Sequence, residues 1–139
     1  MEINELTYQI LKCAYAVHTE LGPGLLESSY EFALTYELKV SGFSVERQKM
    51  LPLIYKGHEL DSGYRVDLMV ESKIIVEIKS AAALDEIHKA QLLTYLKLSS
   101  LSVGLLLNFN VTSMKNGICR IVNNFEDTLR PAQRYAQEF

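Results

Sequence analysis

A chain of 139 residues, 48% hydrophobic and 22% charged, can bury a core of its own and reads as one globular domain over residues 1–139. A net charge of −3 and a pI near 5.6 argue against a general nucleic-acid binder, which carries a basic footprint. They do not exclude an enzyme acting on nucleic acid, where a bound metal and a local basic face supply the positive field.

No apolar run approaches the roughly 20 residues needed to span a bilayer, so no membrane association is expected. MEINELTYQILKCAY has no basic leader ahead of an apolar stretch. Cys13 and Cys119 are far apart, with no histidine pair at finger spacing, and read as reduced core thiols. The expected address is the cytoplasm.

In chain order, Asn4 is placed to cap a first helix running to about Glu20, with Leu6, Ile10, Cys13, Ala14, Val17 and Leu21 on its apolar face. Gly22-Pro23-Gly24 stops it. A second helix is predicted from Leu25 to about Val40, ended by Ser41-Gly42 and striped by Leu26, Tyr30, Ala33, Leu34 and Leu38. Two short strands follow, Phe43–Gln48 and Leu51–Tyr55, then a turn at Lys56-Gly57-His58-Glu59. Stronger strands are predicted at Tyr64–Val70 and Ile74–Lys79. A third helix spans Leu84 to about Leu98. Ser102–Phe109, a continuous apolar run, reads as a strand covered on both faces. A last strand at Ile118–Val122 and a polar helical tail at Arg130–Phe139 complete an α-α-β-β-β-β-α-β-β order. Hairpins followed by a helical crossover give an α/β fold with a mixed central sheet flanked by helices.

The segment SGYRVDLMVESKIIVEIKS carries the chemistry. Strand alternation puts Tyr64, Val66, Leu68 and Val70 on one face and Arg65, Asp67 and Met69 on the other. It likewise separates Ile74, Val76 and Ile78 from Ile75, Glu77 and Lys79. A three-residue loop, Glu71-Ser72-Lys73, pairs Val70 with Ile74 and sets Asp67 opposite Glu77 and Arg65 opposite Lys79. A two-residue loop would split the carboxylates between faces. The first register keeps the aliphatics together and is preferred. It sets two like charges across a strand pair, which is destabilising. A hard divalent cation, Mg²⁺ or Mn²⁺, relieves that conflict and activates a bound water. Lys79, on the same face, is positioned to orient that water or to neutralise developing negative charge. An ordinary solvated hairpin face would carry the same three residues, so this pattern alone does not decide.

The helices add candidates. Glu27 sits at the edge of the second helix's stripe, three residues before Tyr30, where a carboxylate is costly unless paired or metal-bound; a first-turn acid favoured by the helix dipole is the alternative. On the third helix Leu84, His88, Gln91, Tyr95 and Leu98 recur at helical spacing. There Gln91 is suited to bind a substrate phosphate over a packed Tyr95, although plain amphipathic packing also accounts for the pattern. His58 and His88 receive no role.

Asp67, then Glu77-Ile78-Lys79, then Gln91-Leu92-Leu93-Thr94-Tyr95 resembles the PD-(D/E)XK nuclease superfamily, with the trailing Q-x-x-x-Y similar to its RecB-like branch. The stretch from His18 to Tyr30, with Gly24, Glu27 and Tyr30, resembles the signature of GxxExxY proteins. Together the motifs run from His18 to about Phe109. The resemblance implies a mixed four-stranded core sheet, and Asp67, Glu77 and the Ile78 carbonyl as metal ligands. It further implies Lys79 as the catalytic lysine and Glu27 as the acid from the N-terminal helix. A histidine near His18 supplies a further metal ligand in some RecB-like nucleases; a structural histidine is the alternative. The superfamily's proline is absent, since Tyr64-Arg65-Val66 precedes Asp67.

The expected activity is Mg²⁺- or Mn²⁺-dependent phosphodiester hydrolysis on nucleic acid, DNA favoured over RNA. Small size and acidic charge are compatible with action as a homodimer or with a protein partner. A catalytically silent binding module of the same fold is the second reading, and a metal-dependent phosphohydrolase on small molecules the third. No glycine-rich phosphate loop, G-x-S-x-G or H-E-x-x-H motif is present.

Overall fold

The computed structural model describes residues 1–125. Its elements are helix α1 (Ile3–Leu21), helix α2 (Glu27–Val40), strands β1 (Val45–Tyr55), β2 (His58–Val70) and β3 (Ile74–Lys79), helix α3 (Glu86–Ser99), strand β4 (Val103–Asn108), a 3₁₀ turn (Met114–Gly117) and strand β5 (Ile118–Val122). The expected tail at Arg130–Phe139 lies outside the described residues. The strands form one five-stranded sheet in the order β1-β2-β3-β4-β5. Every neighbouring pair is antiparallel except β3 and β4, which run parallel and are joined through α3. The fold is therefore the expected α/β type, a mixed sheet flanked by helices. Among the described residues no helix is long and apolar enough to cross a membrane.

Each face of the sheet buries its own cluster. Leu68, Val70, Ile74, Val76, Ile78, Leu105 and Leu107 meet Leu6, Ile10, Leu11, Ala14 and Val17 of α1 and Tyr30, Leu34 and Leu38 of α2. On the other face Val66, Met69, Ile75 and Leu106 meet Leu92, Tyr95 and Leu96 of α3. This two-sided cover explains why β3 and β4 are almost continuously apolar. It also explains Gly104 within β4: a Cβ there would lie 2.8 Å from Leu92 Cδ1, so its absence lets α3 settle on the sheet.

Several expectations are corrected. Asn4 is not the cap of α1; Glu2 holds the extended cap position, and Asn4 instead accepts a hydrogen bond from Arg120 Nη2 at 3.1 Å. Leu21 and Leu26, expected in apolar stripes, are exposed; Leu21 is the last residue of α1 and Leu26 the residue before α2 begins. The two short strands are one, β1, so the sheet has five strands where the sequence suggested six. Pro52 falls where the β1–β2 register shifts, between Leu51 and Leu53, an irregularity that tolerates a missing N–H. His58 and Glu59 belong to β2, paired with Tyr55 and Ile54. The turn itself is Lys56-Gly57, both at positive φ, the two-residue geometry that matches strand twist.

The hairpin between β2 and β3 turns through Glu71 and Ser72, each at φ 54°, closed by Lys73 N–H donating to Val70 O at 3.0 Å. It pairs Val70 with Ile74, Met69 with Ile75 and Leu68 with Val76. That is the register the three-residue loop requires. Val66, however, does not share a face with Leu68 and Val70; it joins the α3-side cluster. The cause lies across the ladder. Gln48 adopts φ 51° within β1, and the β1–β2 pairs on either side of it (Arg47 with Leu68, Lys49 with Val66) leave Gln48 and Asp67 unpaired. The strand twists there, and the alternation of β2 is broken at Asp67.

Candidate functional site

Asp67 and Glu77 meet where the β2–β3 ladder stops. The last paired residues are Leu68 and Val76, and one step further the backbone bonds are replaced by reciprocal side-chain bonds. Asp67 N–H donates to Glu77 Oε2 at 3.0 Å, and Ile78 N–H donates to Asp67 Oδ2 at 2.8 Å. Each carboxylate thus sits on the other's strand. Glu77 is only 6% exposed. Burial first, then the adjacent Asp67 charge, push its carboxyl up to about 8.

In a strand, the N–H and C=O of one residue project to the same edge. Because Ile78 N–H reaches Asp67, the Ile78 carbonyl faces the same gap beside the carboxylates. Lys79 ends β3 opposite Asn108, half-buried, and its charge acts on Glu77 to oppose the upward shift. Among the described residues no hydrogen bond or ion pair engages its ammonium. Tyr95, buried on α3, closes the wall. Its hydroxyl is pushed above its ordinary value by burial and then by Glu77, Tyr64 and Asp67, which locates it beside the pair. Gln91 lies one turn earlier on α3 and is exposed.

The remaining candidates stand apart from the pair. Glu27 opens α2, and its Oε2 accepts Ser80 N–H at 3.4 Å, next to Lys79; Ser80 Oγ donates to Leu25 O at 2.6 Å. These bonds tie the start of α2 to the end of β3. His18 Nε2 lies 2.7 Å from the Val111 carbonyl, so that nitrogen carries the proton and has a backbone partner. Among the described residues no three His, Cys, Asp or Glu side chains gather to hold a metal ion. Of Asp67, Glu77, Glu27 and His18, only the first two come together. His88 accepts Asp85 N–H through Nδ1 at 3.2 Å at the start of α3.

Tyr30 has a structural task. Its hydroxyl donates to Gly22 O at 2.6 Å and accepts Leu25 N–H at 3.1 Å, while its ring stacks on Phe109 at 4.6 Å. It fixes the Gly22-Pro23-Gly24 connection and thereby the placement of Glu27. Tyr30→Phe is expected to cost about 1–2 kcal/mol, because Gly22 O and Leu25 N–H both lose the buried hydroxyl that satisfies them. Urea denaturation measures this; an unchanged midpoint would remove the role.

Two residues beside the site were not anticipated. Glu31, 7% exposed, accepts Arg47 Nη2 at 2.9 Å and Gln48 Nε2 at 2.6 Å, and Gln48 Nε2 also lies 3.2 Å from Asp67 Oδ1. Asn108, 3% exposed, clamps the residue after Ser80, accepting Ala81 N–H at 3.1 Å and donating to Ala81 O at 3.0 Å. Both gave a sequence signal: an acid beside Tyr30 in a core stripe, and a lone amide within an apolar strand.

The donor set fits a hard divalent cation. Two adjacent carboxylates, one buried and resisting ionisation, and a carbonyl at the same edge are oxygen donors of the kind Mg²⁺ and Mn²⁺ take, with water filling the other positions. Millimolar Mn²⁺ is therefore expected to raise the melting temperature, by about 2.7 kcal/mol of stabilisation at a hundredfold excess over the dissociation constant. Asp67→Asn should abolish the shift. No wild-type shift in a thermal melt would count against metal occupancy.

Comparison with known proteins gives one family. A model of the PD-(D/E)XK nuclease superfamily matches residues 4–121, from α1 into β5. Among curated proteins and solved structures nothing matches this chain. The match covers most of the chain and includes Asp67, Glu77 and Lys79, and so the chain belongs to the PD-(D/E)XK nuclease superfamily.

Proposed function

We propose that this chain is a divalent-metal-dependent nuclease that hydrolyses phosphodiester bonds, in DNA rather than RNA. Superfamily membership supports nuclease-type phosphodiesterase activity. One observation carries the finer reading: the reciprocal bonding of Asp67 and Glu77, which holds two carboxyl groups together where the β2–β3 ladder opens. Asp67, Glu77 and the Ile78 carbonyl would hold Mg²⁺ or Mn²⁺. When bound, such an ion supplies Lewis-acid stabilisation of phosphate charge and a nucleophilic water at neutral pH.

The chain's own residues supply the rest. Lys79 brings an uncommitted ammonium to the same strand end, suited to negative charge building on the scissile phosphate. Tyr95 excludes water from the wall behind the carboxylates, and Gln91, exposed one turn away, offers its amide to the substrate backbone. Glu27 holds Ser80 and so steadies the chain just past Lys79. His18 as a further metal ligand has no support in its Val111 bond and is not part of this reading.

Gly24, Glu27 and Tyr30, with Gln91 and Tyr95, support placement among GxxExxY proteins near the RecB-like branch. We read residues 1–139 as one such domain with a cytoplasmic address. The exposed Phe32, Tyr36 and Val40 of α2 support action with a second copy or a protein partner. The second reading, a silent binding module, is favoured by the net charge of −3 and by a carboxylate pair lacking a third acidic or histidine donor among the described residues.

The test is a cleavage assay on single-stranded DNA, duplex DNA and RNA, with Mg²⁺ or Mn²⁺, comparing wild type with Glu77→Gln. Metal-dependent cutting by wild type alone supports the nuclease. Cutting of RNA in preference to DNA would reverse the substrate assignment, and no cutting of any substrate would favour the binding module.

A further inference from the structure

We infer that Glu31 and Gln48 form a positioning device for Asp67, built on a left-handed backbone turn in β1. The inference rests on the metal-site reading of Asp67 and Glu77 above.

Adjacent strand residues point to opposite faces. Arg47 and Gln48 are adjacent in β1, yet both reach the one carboxylate of Glu31: Arg47 through Nε at 3.2 Å and Nη2 at 2.9 Å, Gln48 through Nε2 at 2.6 Å. The φ of 51° at Gln48 breaks the alternation there. Glutamine gains nothing from that conformation by itself, since a left-handed turn costs a non-glycine residue on the order of 1 kcal/mol. Gln48 is also exposed, so no core packing holds it there. What it gains is its set of bonds. The amide nitrogen that donates to Glu31 lies 3.2 Å from Asp67 Oδ1, the oxygen not used by Ile78 N–H. Asp67 is thereby gripped on both oxygens.

The partner strand carries the matching distortion. Among positions 45–51 of β1 the ladder lapses at Gln48 alone, opposite Asp67 of β2, and the faces of β2 switch between Val66 and Leu68 across Asp67. The twist thus occurs at the residue it serves. Strained backbone at such a place persists where the surroundings over-determine it. Glu31 supplies that constraint: buried, anchored by the Arg47 guanidinium, and one turn into α2, four residues after Glu27. Glu31 acts through Gln48, and Gln48 sets the direction of one Asp67 oxygen. Both are positioning residues.

Removing an outer hydrogen-bond partner of a metal ligand typically lowers metal affinity 10–100-fold. Titration of Mn²⁺ by electron paramagnetic resonance, with denaturant midpoints for each variant, tests the device without using activity. Gln48→Gly keeps the turn and removes the amide; a 10–100-fold loss of Mn²⁺ affinity is expected. Gln48→Asn, which tolerates the left-handed turn but has a shorter reach, should lose affinity likewise and serves should the glycine variant not fold. Glu31→Gln should fall in the same range. The double variant Glu31→Gln/Gln48→Gly should bind no more weakly than Gln48→Gly, because among the described residues the hydrogen-bonded path from Glu31 to Asp67 runs through Gln48. Unchanged affinity in a folded Gln48 variant, against measurable binding by wild type, overturns this inference and leaves the metal site standing. Additive losses in the double variant overturn the relay through Gln48. No Mn²⁺ binding by wild type overturns the metal site and the device together.

Discussion

Alanine in place of Lys79 is expected to remove most nucleic-acid cleavage while leaving the fold and Mn²⁺ binding nearly intact. The side chain is half-buried at the end of β3 and, among the described residues, makes no hydrogen bond or ion pair whose loss would destabilise the protein. Its backbone carbonyl, which accepts Phe109 N–H at 3.0 Å, is untouched by the substitution. What is lost is a positive charge beside Glu77 and the adjoining gap. Losing one positioned electrostatic or proton-transfer group typically costs about 10²–10³ in rate. Lys79→Arg should rescue poorly, because a forked guanidinium is bulkier and donates differently from a compact ammonium. Single-turnover cleavage of DNA with Mn²⁺, alongside Mn²⁺ titration, measures both quantities. Equal cutting by wild type and Lys79→Ala would relocate the active site.

The second large effect is on stability, and its sign follows from Glu77. Its carboxyl rises from an ordinary 4.5 to about 8 on folding, through burial and the neighbouring Asp67 charge. The folded state therefore binds the proton more tightly than the unfolded chain. Below about pH 4.5 both states are protonated and this advantage is complete. As pH rises toward 8 the unfolded chain ionises while the folded one resists, so stability falls across that window and levels off above it. The shift corresponds to about 5 kcal/mol, an order-of-magnitude figure for a buried group coupled to a neighbour. Metal-free protein in a chelator should thus lose several kcal/mol between pH 5 and pH 9. Glu77→Gln, which mimics the protonated acid, should lack this component of the slope. Saturating Mn²⁺ should offset the loss most at high pH, since it favours the ionised pair. Urea midpoints across the pH series decide it: parallel curves for wild type and Glu77→Gln would mean that Glu77 titrates normally.

Much of this architecture was legible because it is stored in apolar patterning. The aliphatics of Ile74–Lys79 and Ser102–Phe109 can be satisfied only by a sheet covered on both sides, and the β2–β3 register follows from keeping Leu68, Val70, Ile74 and Val76 together. The first half of β2 was not legible. His58, Glu59 and Leu60 are exposed, beyond the cover of the helices, so they carry no buried alternation to read. The twist at Gln48 is invisible for another reason: glutamine has no preference for positive φ, and the bonds that hold it come from Glu31, seventeen residues earlier. Asn108 left only a faint signal, a lone amide that an apolar run absorbs as part of the strand. The partner of His18, a carbonyl beyond β4, is likewise a product of tertiary packing that no local spacing encodes.

The turn between β2 and β3 has a further consequence for how freely this protein can vary. Glu71 and Ser72 both occupy positive φ, where asparagine and glycine are the natural occupants. The alignment of Asp67 with Glu77 is therefore not written in the turn, which is poorly suited to its own shape; it is written in the buried aliphatics on either side. The connection is a tolerant position. Changing it should alter how tightly the hairpin closes without moving the carboxylates. Glu71→Asn with Ser72→Gly should raise stability by up to about 1 kcal/mol per position and leave Mn²⁺ affinity as it was. That would provide a sturdier background in which the more damaging site variants can still fold.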